Sequence, residues 1–278
     1  MVDTAAHQFQ TTEMKQNLVR YSAENGVALL TLNDPPANTY TYEMMQEFDR
    51  VILTARMDET VQVLIITGHG DKFFSAGANI QMLANVTPTF KYYFCLHANE
   101  TLSRLEQTGK LVIAAINGHC VGGGLEIALA ADIRIARRGA GKMGLPEVSL
   151  GVLPGTGGTQ RLTRIIGKSQ AIELMATGEL FDFERGHEMG IISQIQEADT
   201  GEAFMQQVLS YARQFTSPHK AAKAVGLIKR SVQSGAEISF ESALALEREL
   251  QQQLFQSEDA KEGLDAYVNK RKPQFKGR

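Results

Sequence analysis

Residues 111–126 read Leu111-Val112-Ile113-Ala114-Ala115-Ile116-Asn117-Gly118-His119-Cys120-Val121-Gly122-Gly123-Gly124-Leu125-Glu126. An unbroken apolar run stopped by Asn-Gly spells a strand covered on both faces. The apolar stretch from Leu125 to Ala131 spells a helix, so the three glycines stand at its N-terminus. They carry no Cβ, and another molecule can come close to the backbone there. The first N–H groups of a helix have no partner within it, and its dipole favours negative charge at that end. Two such N–H groups aimed at one oxygen make an oxyanion hole, in which a single donor is worth about 2.7–4 kcal/mol of transition-state stabilisation. The plainer alternative is that the glycines only let a helix pack closely on a sheet.

Strand and helix alternate on both sides of this stretch. Val27-Ala28-Leu29-Leu30-Thr31-Leu32 reads as a strand ended by Asn33-Asp34-Pro35-Pro36. Over Thr41–Met57 the apolar residues Met44, Met45, Phe48, Val51, Ile52 and Ala55 recur at helical spacing. Thr41 is the expected cap, with Glu43 and Glu47 in the early turns. Strands are expected at Val61–Thr67 and Ile133–Ala136, and a helix over Asn99–Gln107. A second small-residue turn, Lys72-Phe73-Phe74-Ser75-Ala76-Gly77-Ala78-Asn79-Ile80, follows the Val61–Thr67 strand. Beyond Gln160 strand-like runs almost vanish. Helices are expected at 169–177, 202–215, 219–234, 239–255 and 258–270, with Pro218 opening the third of these. The expected division is a flexible tail at 1–17, an α/β core at 18–195 and a helical C-terminal region at 196–278.

Composition narrows the function. The 278 residues carry 28 Lys and Arg against 31 Asp and Glu, a net charge of −3, with no basic patch that would suit nucleic acid. Hydrophobic residues make up 43% and charged residues 21%, which excludes a disordered chain. Two cysteines, Cys95 and Cys120, cannot build a disulfide framework, so a reducing, cytoplasmic setting is expected. Residues 1–16 fit neither a signal nor a transit peptide, and no apolar run is long enough to span a membrane. Familiar nucleotide and metal motifs fail. Gly167-Lys168-Ser169 has Leu162 where a P-loop needs glycine, Gly122-x-Gly124 is followed by Ile127 where a dinucleotide fold needs glycine, and His187-Glu188 has Ile191 where a zinc helix needs histidine. No metal or redox cofactor is expected.

Two carboxylates stand beside the glycine turns. Glu126 lies in the first turn of the 125–131 helix. Glu147 lies in Gly144-Leu145-Pro146-Glu147-Val148, ahead of Gly151-Val152-Leu153-Pro154-Gly155-Thr156-Gly157-Gly158. Apolar neighbours would desolvate both and raise their pKa, as a paired acid and base requires. Taken singly, each could be an ordinary helix-start or loop charge.

With these segments in hand, the chain resembles the enoyl-CoA hydratase/isomerase family, also called the crotonase superfamily, from about Val19 to Phe275. The resemblance is carried by Asn33–Asn38, Phe74–Ile80, Ile116–Glu126, Leu145-Pro146-Glu147 and Gly151–Leu162, and by Ser257–Gly263 with Lys272–Lys276. It implies a crotonase-like spiral of ββα units with a C-terminal helical trimerisation region, assembled as a homotrimer or a hexamer of two trimers. It implies an acyl-CoA thioester as substrate, with no nucleic acid or membrane partner. By position, the backbone N–H groups of Ala78 and Gly123 would form the oxyanion hole. Ala76 would lie near the adenine, Ala37 near the bent CoA chain and Lys72 near a phosphate, with Gly77, Asn79, Ile80, Gly122 and Gly124 completing the contact surface. Glu126 would hold and activate water, and Glu147 would deliver the α-proton.

Both glutamates together favour hydration of a 2-enoyl-CoA. Other reactions of the family, Δ3-Δ2 isomerisation or acyl-CoA decarboxylation, are the alternatives, and a non-catalytic scaffold is a third. Asn79 and Gln81 depart from the aspartate and lysine common in the family. Thr39-Tyr40-Thr41-Tyr42 is bulkier than usual, and Phe90-Lys91-Tyr92-Tyr93-Phe94 falls where the acyl pocket varies. Packing is the favoured role for those aromatics.

Overall fold

Near-continuous apolar runs pair into a central sheet. The computed structural model describes residues 17–278, so the expected tail lies, apart from Asn17, outside the described residues. The strands are β1 (Val19–Glu24), β2 (Val27–Leu32), β3 (Val63–Gly68), β4 (Phe73–Ser75), β5 (Leu111–Ile116), β6 (His119–Val121), β7 (Ile133–Arg137), β8 (Lys142–Gly144), β9 (Phe181–Asp182) and β10 (Gln194–Gln196). The helices are α1 (Tyr42–Met57), α2 (Ile80–Ala84), α3 (Pro88–Glu106), α4 (Gly123–Leu129), α5 (Gly158–Ile166), α6 (Lys168–Thr177), α7 (Phe183–Glu188), α8 (Gly201–Arg213), α9 (Ala222–Gly235), α10 (Phe240–Phe255) and α11 (Glu258–Val268), with a 3-10 turn at Glu147–Leu150.

One sheet has the order β1-β2-β3-β5-β7-β10 and the other β4-β6-β8-β9. Each of the pairs β3/β4, β5/β6 and β7/β8 gives one strand to each sheet before the chain passes into helix, which is the ββα spiral. Every residue of β3 and β5 is buried, as their unbroken apolar sequences require. One sheet face packs on α1, α3 and α4, through Phe48, Ile52, Leu102 and Ile127. The opposite face is covered by α8 through Phe204, Val208 and Ala212.

Thr41 caps α1 by accepting from Met44 N, and Glu43 lies in the first turn. Glu47 instead is buried and accepts from Val19 N at 3.0 Å, tying α1 to β1. Three expectations are corrected. The helix at Asn99–Gln107 starts as early as Pro88, capped by Thr87. Pro218 does not open a helix: it lies in a turn held by His219 N and Lys220 N on Thr216 O, and α9 starts at Ala222. Ser217 N donates to Gln62 Oε1 at 2.7 Å, which anchors that turn beside β3. The strand at Val61–Thr67 starts at Val63, because Val61 N still bonds back to Asp58 O. No described helix is long and apolar enough to cross a membrane.

Candidate active site

The parallel pairing of β4 with β6 sets their following turns side by side. In the first turn Gly77 takes φ +86°, and a Cβ there would stand 2.8 Å from Gly123 N in the second. Gly122 takes φ +57°, and a Cβ there would stand 3.0 Å from Glu147 Oε1. Both positions need glycine for backbone shape and for close approach. The N–H of Gly122 donates to Gly144 O at 2.8 Å, whereas those of Ala78 and Gly123 meet no acceptor among the described residues. Close packing is also real: a Cβ on Gly124 would overlap Ser75 O, and one on Gly123 would overlap the Tyr40 hydroxyl. The two readings of the glycine triplet are therefore compatible.

Neighbouring segments hold the first turn in shape. Ser75 Oγ accepts from Gly77 N at 3.1 Å and donates to Asn38 O at 2.7 Å. Ala76 N donates to Ala37 O, Tyr40 N to Gly77 O, and Asn79 N to Tyr40 O. Asn79 Oδ1 caps α2 by accepting from Met82 N at 2.9 Å, so its side chain is engaged locally. Gly124 faces Ser75 and is buried. The Asn79 side chain thus caps a helix, and Gly124 packs on the backbone of the first turn. Ala37 and Ala76 are half-buried, Ile80 is exposed, and Lys72 is exposed with Nζ 5.7 Å from the Phe73 ring centroid.

Glu126 enters on α4, which buries all of its residues. Its Oε1 accepts from Thr156 N and Gly158 N, each at 2.7 Å. Burial raises its pKa, and those two N–H groups pull the other way. Glu147 sits at the start of the 3-10 turn. Burial pushes it up to about 7; its own backbone N–H opposes the rise and the charge on Glu126 adds to it. Its Oε2 is buried without a hydrogen-bond partner among the described residues. An unpaired buried carboxyl oxygen is costly in a merely structural role and usual where a proton is exchanged.

Lys91 in α3 carries the positive charge that acts on both carboxylates. The aromatic segment divides. Phe94 is buried against Tyr40 and Tyr42, with Phe90 on Tyr42, while Tyr92 and Tyr93 are exposed. Three neighbours of the carboxylates escaped the sequence reading as functional positions: Tyr40, Thr156 and Gly158. The last two lie in the quoted Gly-Thr-Gly-Gly turn, whose backbone role periodicity does not reveal. No group of three His, Cys, Asp or Glu side chains among the described residues could hold a metal.

The model of the enoyl-CoA hydratase/isomerase family matches residues 22–278. The chain belongs to that family. It is 36% identical to the short-chain-enoyl-CoA hydratase of Clostridium acetobutylicum, over 95% of this chain and 100% of that protein. It is 34% identical to the 2,3-dehydroadipyl-CoA hydratase of Escherichia coli, over 92% and 98%. The crystal structure of an enoyl-CoA hydratase from Geobacillus kaustophilus HTA426 superposes with a TM-score of 0.91 at 42% identity, covering 95% of this chain and 98% of that one. The crotonase fold expected from the sequence is thus present, and the chain is an enzyme of this family.

Proposed function

We propose that the protein hydrates a 2-enoyl-CoA thioester. The observation that carries this reading is the pair of carboxylates, the buried Glu126 and the half-buried Glu147, beside two turns whose Ala78 and Gly123 N–H groups are free to donate. Attack of water at the β-carbon moves charge onto the thioester oxygen. The two N–H groups stabilise that enolate, Glu126 takes up the proton from water, and Glu147 gives a proton to the α-carbon. An acid and a base are both required, and both are supplied. The reaction needs only water as co-reactant, so no cofactor enters it.

The half-buried Ala37 and Ala76 and the exposed Ile80 and Lys72 border the first turn and suit the CoA moiety, with Lys72 meeting a phosphate. Gly77 and Gly122 keep the approach clear of Cβ atoms. Cytoplasmic residence fits the two free thiols. The test is spectroscopic. Crotonyl-CoA should lose the absorbance of its conjugated thioester when the enzyme is added. An isomerase would instead create that absorbance from a 3-enoyl-CoA, and a decarboxylase would release carbon dioxide from a malonyl-type thioester. Either of those activities with crotonyl-CoA unchanged would replace the hydratase reading.

A further inference from the structure

The side chain of Tyr40 is buried and reaches across the molecule to the turn that holds Glu126. Its hydroxyl lies 2.9 Å from Thr156 Oγ1. Thr156 is gripped on three sides: its N–H donates to Glu126 Oε1, its C=O accepts from Arg161 Nη1 at 3.2 Å, and its hydroxyl meets Tyr40. Arg161 is itself fixed by two bonds to Glu106, at 3.0 and 2.7 Å. The backbone of Tyr40 holds the first glycine turn from the other side, through Gly77 O and Asn79 N. Its ring fills the space that Gly123 leaves open and packs on Phe94 at 5.9 Å between centroids. One residue thus touches both glycine turns and the support of a carboxylate.

We propose that Tyr40 is a positioning residue whose hydroxyl, acting through Thr156, orients Glu126 for its work on water. This rests on the reading of Glu126 given above. The Thr156 N–H donates to Glu126 Oε1 at 2.7 Å and helps hold it as an anion. The Tyr40–Thr156 hydroxyl pair fixes the residue whose N–H reaches Glu126, so breaking it loosens the support of the carboxylate. Burial raises the Tyr40 pKa well above its ordinary value, so the phenol keeps its proton over the working range. The charged and titratable groups around Glu126 and its support are Lys91 and Glu147, which act on Glu126, Cys95 from α3 beside Tyr40, and Arg161 from α5 on Thr156 with its partner Glu106.

The test compares Tyr40→Phe, Thr156→Val and the double variant in hydration of crotonyl-CoA by the full chain. Both substitutions keep side-chain volume and leave the Thr156 N–H in place. Each single variant should lower kcat by about three- to tenfold, the worth of one buried hydrogen bond, with KM nearly unchanged. The acid limb of the kcat/KM profile should move to higher pH, because the Glu126 anion loses support. The double variant should fall no further than the worse single one, since both break one relay. A purely structural role would lower the melting temperature without moving the acid limb. Wild-type kcat and pH profile in Tyr40→Phe would overturn the inference, as would fully multiplicative losses in the double variant. Glu126→Gln is the control. If that variant is crippled while Tyr40→Phe is silent, the Tyr40 inference alone fails. If Glu126→Gln keeps wild-type turnover, the role of Glu126 fails and the inference falls with it.

Discussion

Glu147 meets Gly122, and the missing Cβ of that glycine is what lets the carboxyl face the two turns. Burial sets its pKa at about 7, with Glu126 and Lys91 as its charged neighbours. Below that pH the carboxyl carries a proton, and above it does not. Hydration needs the proton-bearing form, so kcat/KM for hydration should fall as pH rises through about 7; the overall reaction takes up no net proton, so kcat/KM for the reverse dehydration should follow the same profile. A hydration profile that is flat between pH 6 and 8 would contradict this assignment. Both glutamates and both glycine turns were readable in the sequence, because each lies in a short run of special residues beside a strand. Tyr40 and Thr156 were not readable as partners. They stand 116 positions apart, and nothing local to either residue announces the other.

Helix α9 is joined to the sheet by charge rather than by apolar area alone. Lys229 Nζ lies 2.9 Å from Asp132 Oδ2; Lys229 is buried and Asp132 largely so. Asp132 also accepts from Val112 N and from Gln233 Nε2, each at 2.7 Å, and Lys229 Nζ donates to Lys110 O at 3.1 Å. Burial works against both charges, raising the pKa of Asp132 and lowering that of Lys229, so each depends on the other. Lys229→Ala should therefore cost about 3–5 kcal/mol of unfolding free energy, measured by chemical denaturation. An unchanged denaturation midpoint would show the pair to be dispensable.

Elements with long apolar periods, such as α1, β2 and β5, coincide with the sequence reading to within a residue. The strands of the second sheet, implied by the family resemblance, have no signal of their own in the sequence. Strands β4, β6, β8 and β9 have only two or three residues each, too few to show alternation. The early half of α3 was also missed, because Phe90 to Phe94 place aromatic residues on both the packed and the exposed side.

The C-terminal helices leave apolar side chains in solvent when the chain stands alone. Val232 on α9, Phe240 on α10, and Leu264, Tyr267 and Val268 on α11 are all more than half exposed. Exposed apolar surface of this extent marks a contact surface. The occupant we propose is further copies of the same chain, as a trimer or a pair of trimers. Light scattering at micromolar concentration should give three or six times the 30.5 kDa chain mass. Tyr267→Asp combined with Val268→Asp should shift that mass downward. A wild-type monomer at the same concentration would assign these side chains to some other partner.

The central claim is that two carboxylates beside two glycine turns add water to an enoyl thioester. The most direct measurement is the rate at which crotonyl-CoA loses its conjugated absorbance with the wild-type protein, Glu126→Gln and Glu147→Gln, each checked for CoA binding. The expected result is rapid loss with the wild type and a fall of orders of magnitude in both variants, with binding nearly intact. Undiminished hydration by Glu147→Gln would contradict the claim.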